Sequence, residues 1–193
     1  MSLILQGTHT ILGTLTDAAP IQGVAPQSGE LPPLDHSKLT TVAAATAYTV
    51  VTDIGEELLG RMDSEEGFAI KLAGFSVGSS GYDPTNPTIA LDPSPVLTAV
   101  PCQVYPARYA ETICAPFSAL QHTDNVITCW CRLPWNAASG CIGMVGIWVR
   151  ISESTTAAEL ETYHLLAVST MPMQAKGPDG TFATIVTLTL AEA

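Results

Sequence analysis

The residues that could do chemistry in this chain are its four histidines and five cysteines, and their spacing assembles no reactive set. His9, His36, His122 and His164 share no motif, and no base stands beside Cys102 or Cys114 in sequence. Zinc would want paired Cys-x-x-Cys or histidine spacings, and neither occurs. Cys129-Thr-Cys131 places two thiols on one face if the segment is a strand, and Cys141 follows. An odd number of cysteines, with no positive n-region before an apolar stretch in Met1 to Thr10, reads as reduced, buried thiols. There is no G-x-S-x-G elbow, no H-E-x-x-H and no Walker-type loop. Gly74-x-x-x-Gly78-x-x-Gly81 is glycine-rich but leads into prolines, so it lacks the helix dipole that a phosphate site uses. Asp63, Glu65 and Glu66 read as a solvated acidic turn. Of the three tryptophans, Trp130 and Trp148 fall in strand-like segments and suit packing, whereas Trp135 could stack against a sugar. The expectation is a protein that is not an enzyme, with no metal and no cofactor.

The composition narrows the partners. Seven cations against 18 carboxylates give a net charge of −11 over 193 residues, and such a chain repels nucleic acid. No apolar run approaches the ~20 residues of a membrane helix; the longest candidate, Val42 to Val51, is short and broken by threonines. Charged residues make up 13% of the chain, against about 25% in an ordinary soluble domain. Hydrophobic residues make up 47%. That balance excludes disorder and points to a folded subunit that buries part of its surface against neighbours, including copies of itself.

The elements that must position these residues divide the chain in two. Residues 1–48 carry Gly7, Gly13, Pro20, Gly23, Pro26, Gly29, Pro32 and Pro33, too closely spaced for a long helix or a central strand. They read as an extended arm in which Leu3 to Leu5 and Ile11 to Leu15 pair as short edge strands and apolar side chains dock. Residues 49–193 read as a β-rich domain. One helix is predicted from Asp53 to Met62, with Asp53 and Glu56 as its capping box and Ile54, Leu58 and Met62 as its apolar stripe. Phe68, Ile70 and Leu72 alternate, and Gly74 moves Phe75 and Val77 to the other parity, as a bulge would. Strands are expected over 126–133, 141–151, 163–170 and 181–190, with a turn at Gly177-Pro-Asp-Gly180 and one helical turn over 157–161. Between them, residues 78–95 form a proline-studded ordered loop. The fold class is mainly β, an antiparallel sandwich or barrel-like domain with one short α-helix.

Ala73-Gly-Phe-Ser-Val-Gly-Ser-Ser-Gly-Tyr-Asp-Pro-Thr-Asn-Pro87 resembles the "avG-x-GGY-x-P" segment in the N-terminal attachment domain of bacteriophage tail-collar fibre proteins. Thr52-Asp-Ile-Gly-Glu-Glu-Leu-Leu59 is similar to the short helix before that segment. Val96-Leu-Thr-Ala-Val100 with Gln103-Val-Tyr105, Gly143-Met-Val-Gly-Ile-Trp148, and Leu165-Leu-Ala-Val168 with Met171-Pro172 and Lys176 resemble later stretches in the same order. The likeness runs from residue 49 to 190. Met144 stands where the family strand usually has Glu.

The resemblance implies a virion component assembled in the host cytoplasm. Family fibres continue into a trimeric shaft and a tip, whereas this sequence stops at Ala193, so the expectation is a free-standing attachment module. Such a module is an adaptor joining tail, baseplate or collar to a fibre or other appendage. Its partners would be itself, as a trimer or a ring, and other virion proteins, with no nucleic acid and no membrane. A capsid decoration or head-fibre base protein is the alternative, and a carbohydrate-binding module contacting the host surface is the second. The candidate contacts are Leu3, Leu5, Ile11 and Leu15 in the arm, Tyr82, Asp83, Pro84, Asn86 and Pro87 in the loop, and Trp135.

Overall fold

In Val126–Leu133 the alternate residues Cys129, Cys131 and Leu133 are buried to within 1% exposure, as period-2 alternation on a half-buried sheet requires. The same pattern recurs along Phe182–Glu192, where Thr184, Val186 and Leu188 are buried. These residues line one half of the core in a computed structural model that describes residues 3–12, 48–101, 117, 119–133, 140–153, 163–176 and 182–192.

In chain order the elements are β1 (Leu3–Leu12), β2 (Tyr48–Val51), α1 (Asp53–Ser64), β3 (Ala69–Gly78), β4 (Ala119–Thr123), β5 (Val126–Leu133), β6 (Gly140–Glu153), β7 (Tyr163–Lys176) and β8 (Phe182–Glu192). They form two four-stranded sheets, β1-β8-β5-β4 and β2-β7-β6-β3, and every pairing is antiparallel. Among the described residues the architecture is mainly β and sandwich-like, with one short helix and no closed barrel.

Between the sheets lie Phe75, Val77, Val145, Ile147, Val149 and Met171 from one side and Cys129, Cys131, Leu133, Val186 and Leu188 from the other. Neither Cys129 nor Cys131 is disulfide-bonded. Burial pushes the Cys129 thiol up to about 12 and raises Cys131 as well, so both are inert hydrophobes at neutral pH.

The central strands of the second sheet, β6 and β7, are buried on both faces. Strand β6 reads Val145, Ile147, Val149 toward the sandwich and Met144 and Trp148 away from it, yet all five are at most 5% exposed. An apolar run without a polar parity is the mark of a strand covered on both sides. Met144, Trp148, Leu165, Val168 and Val100 form a separate outer cluster.

Two local features differ from the sequence-based expectation and one agrees with it. The N-cap of α1 is Thr52, not Asp53: the Thr52 hydroxyl accepts the Gly55 amide at 3.0 Å, and Asp53 becomes the first-turn acid. The Thr52 hydroxyl also donates to the Leu165 carbonyl of β7, so one side chain caps the helix and ties it to the sheet. The bulge in β3 does occur, with Ala73 as the extra residue between the Leu72–Val149 and Gly74–Trp148 pairs. Finally, β1 is one continuous strand whose register partners run from Glu192 to Ala183 on β8. It therefore adds an edge to the first sheet in place of two short pieces. The expected turn at 177–180 and the helical turn at 157–161 lie outside the described residues.

Candidate interaction surface

The outer cluster of the second sheet is roofed by residues 79–101, the proline-studded segment, and glycines make the seat. A methyl group at Gly143 would fall 2.2 Å from Cδ1 of Tyr82 and 2.6 Å from the Ser80 carbonyl oxygen. At Gly146 it would fall 2.4 Å from a Val100 methyl. Only a residue without Cβ lets the loop backbone and the Tyr82 ring lie directly on β6. Gly81 has φ +95°, which an L side chain rarely adopts, and turns the chain over β6 just before Tyr82.

Within the loop the backbone bonds are nearly self-contained. Tyr82 and Ala90 bridge, the Leu91 amide donates to the Gly81 carbonyl at 2.9 Å, and the Asp83 amide donates to Ile89 at 2.9 Å. The Asp83 carboxylate accepts the Thr85 hydroxyl at 2.7 Å, the Thr85 amide at 2.8 Å and the Asn86 amide at 3.4 Å. These donors, the Thr85 hydroxyl first, hold Asp83 below the ordinary carboxylate value. The Asn86 side-chain oxygen accepts the Thr88 hydroxyl at 2.7 Å. Such side-chain-to-backbone bonds fix a short turn without a strand ladder.

Three bonds then anchor the loop to the body. The Met173 amide of β7 donates to Pro87 at 2.8 Å, the Thr170 hydroxyl donates to Leu91 at 2.5 Å, and the Asp53 amide donates to Pro95 at 2.8 Å. The last bond satisfies an amide at the start of α1, which no intrahelical carbonyl can reach. Proline has no N–H, so prolines here contribute only carbonyls, and Pro87 and Pro95 use theirs as clamps.

The solvent side of this roof is apolar. Ile89, Leu91 and Val96 are 47%, 45% and 67% exposed. Between Ala73 and Pro101 there is no Lys or Arg, and the acids are Asp83 and Asp92. The sequence-based candidates Pro84 and Asn86 are exposed, while Tyr82, Asp83 and Pro87 are half-buried and serve mainly to build the turn. The outward apolar residues Ile89, Leu91 and Val96 were not among the candidates; their signal is isolated large aliphatics inside a proline-rich loop with no strand or helix period to bury them.

Leu3, Leu5 and Ile11 lie on β1, at the register positions of Glu192, Leu190 and Thr184. Leu15 and Trp135 lie outside the described residues. The structure therefore does not bring the arm candidates to the loop candidates as one described surface. Among the described residues no group of three or more His, Cys, Asp or Glu could hold a metal ion, and no helix is long and apolar enough to cross a membrane. His122 is exposed on β4, and His164 is half-buried on β7 opposite Val149. Compared with protein-family models, curated proteins and solved structures, the chain matches none of them.

Proposed function

We propose that this protein is a non-enzymatic bacteriophage virion component, an adaptor that joins a tail, baseplate or collar to an appendage. The observation that carries the reading is the loop 79–101. It is ordered by its own hydrogen bonds and glycine seats, and it turns Ile89, Leu91 and Val96 to solvent. A surface held rigid before binding loses little entropy when it docks, and aliphatic side chains on it give contact area without charge pairing. The same segment bears the likeness to the attachment domain of tail-collar fibre proteins. The low charge of the chain fits a subunit packed among neighbours.

The test is immunogold labelling of purified particles with an antibody to this chain. Label confined to tail, baseplate or collar is the expected result. Label over the whole head would make the protein a decoration or head-fibre base, and its absence from particles would remove the virion reading altogether. A companion experiment follows incorporation of an Ile89→Asp, Val96→Asp double variant, whose exposed positions leave folding intact. Normal incorporation of that variant would exclude the loop as the docking surface.

A further inference from the structure

We infer that β4 is an assembly edge at which a second copy of this chain adds its own β4, antiparallel, across a twofold axis on Gln121. Strand β4 is the outermost strand of the first sheet, and among the described residues it pairs only with β5. All five of its residues are exposed. Leu120 is opposite the buried Cys129 and His122 opposite Ile127, so both belong to the face that lines the sandwich core. Leu120 is nevertheless 50% exposed. At the other edge of the same sheet, β1 lies against β2. Phe117, just before β4 in sequence, packs against the core cluster with its ring 6.1 Å from Phe75.

An exposed, uncharged edge is an invitation to strand addition, and proteins that avoid it use charges, prolines, bulges or very short strands. The open edge of the second sheet is guarded in this way: β3 carries an exposed Lys71 and register breaks at Ala69/Ile70 and Leu72/Gly74. Strand β4, Ala-Leu-Gln-His-Thr, has no Lys, Arg, Asp, Glu or Pro and no register break against β5.

The occupant follows from the hydrogen-bond phase and the charge. The hairpin turn Asp124-Asn125 closes on the Thr123–Val126 pair, which faces its bonds inward to β5. Alternation then turns the N–H and C=O groups of Leu120 and His122 outward. A twofold through Gln121 sets Leu120 of one copy against His122 of the other, so every outward group meets its complement. The on-axis Gln121 residues face each other at a non-hydrogen-bonded position. No ionised side chain opposes a like one along this strand, although the chain as a whole carries −11. At this edge two such acidic copies can meet without setting carboxylates of the strand against each other.

The experiment is sedimentation equilibrium on the full chain, with three variants. The wild type is expected at twice the chain mass. Leu120→Lys and, independently, His122→Pro are expected at the chain mass with the β-sheet circular dichroism of the wild type. Both positions are exposed, and the N–H that proline removes is the one turned outward. Gln121→Cys is expected to give a covalent dimer on non-reducing electrophoresis that neither the wild type nor Thr85→Cys gives. A wild type at the chain mass at every concentration overturns the inference. So does an assembly whose mass both edge variants leave unchanged, or one they dissociate while Gln121→Cys fails to cross-link. The inference rests on the strand edge alone, so its failure leaves the virion reading to the labelling experiment.

Discussion

The indole nitrogen of Trp148 donates a 2.7 Å hydrogen bond to the hydroxyl of Ser76, and both side chains are buried under the loop 79–101. The two are diagonal neighbours on the β3–β6 ladder, where Ser76 pairs with Gly146 and Trp148 with Gly74. A buried donor left without its acceptor costs about 1–3 kcal/mol. Ser76→Ala should therefore destabilise by that amount in urea unfolding. In a Trp148→Phe background the same change should cost much less, because no indole N–H is left to strand. Equal costs in the two backgrounds would mean that the bond contributes nothing.

Gly146 and Gly143 hold the loop close to β6, so Gly146→Ala and Gly143→Ala should each push it off its seat. Overpacking of this kind costs about 1–3 kcal/mol, and the Leu91 amide should exchange faster with solvent. Gly60 is the control. It lies inside α1 with nothing within 4 Å of an added methyl group, so Gly60→Ala should stabilise by about 0.5–1 kcal/mol. Thermal unfolding of the three variants separates close approach from chain entropy.

Thr52 is fully buried, caps α1 and is bonded to the Leu165 carbonyl. Thr52→Val keeps the shape and removes both bonds. It should cost about 2 kcal/mol or more, at the upper end for a lost N-cap. Thr52→Ser should recover most of that loss. A small effect of Thr52→Val in chemical denaturation would show that the cap is dispensable.

The buried thiols set an alkaline limit. Cys129 is raised from 9.0 to about 12, and Cys131 shifts the same way, both by desolvation. A group whose folded pKa is raised contributes its stability fully below the unfolded value and loses it as pH rises to the folded one. For Cys129, stability should thus fall from about pH 9 toward pH 12, by about 1.4 kcal/mol per pH unit, and Cys131 acts in the same direction. Cys129→Ala should flatten that slope, and neither buried thiol should react with iodoacetamide until the protein unfolds.

Asp83 shifts the other way, so its contribution is present above the ordinary carboxylate value of 3.8 and fades as pH falls through its lower folded value. Asp83→Ala removes the acceptor of Thr85 and Asn86. Limited proteolysis should then cut within 79–101 faster at neutral pH, with little change in the unfolding midpoint of the sandwich. Unchanged proteolysis would show that the backbone bonds alone order the turn.

The residues of β5 and β8 carry enough alternation to reveal the strands, because burial on a half-buried sheet acts on every second side chain. Strands β6 and β7 are legible instead as apolar runs covered on both faces. The bulge near Gly74 and the ordering of the proline-rich loop are equally local, set by backbone restrictions at glycine and proline. Strand β4 was not legible: Ala-Leu-Gln-His-Thr has neither alternation nor burial, and only its pairing with β5 makes it a strand. The cap moved from Asp53 to Thr52 for a tertiary reason, since the Thr52 hydroxyl finds a second partner on β7 and Asp53 finds Pro95. What the amino-acid sequence determined by itself was the mainly β class and the position of the helix and loop. Only the tertiary structure decided that the loop roofs Trp148 and Met144 and turns Ile89, Leu91 and Val96 to solvent. Which face a loop covers depends on close backbone approach at Gly143 and Gly146 across long sequence separations, and no local periodicity records it.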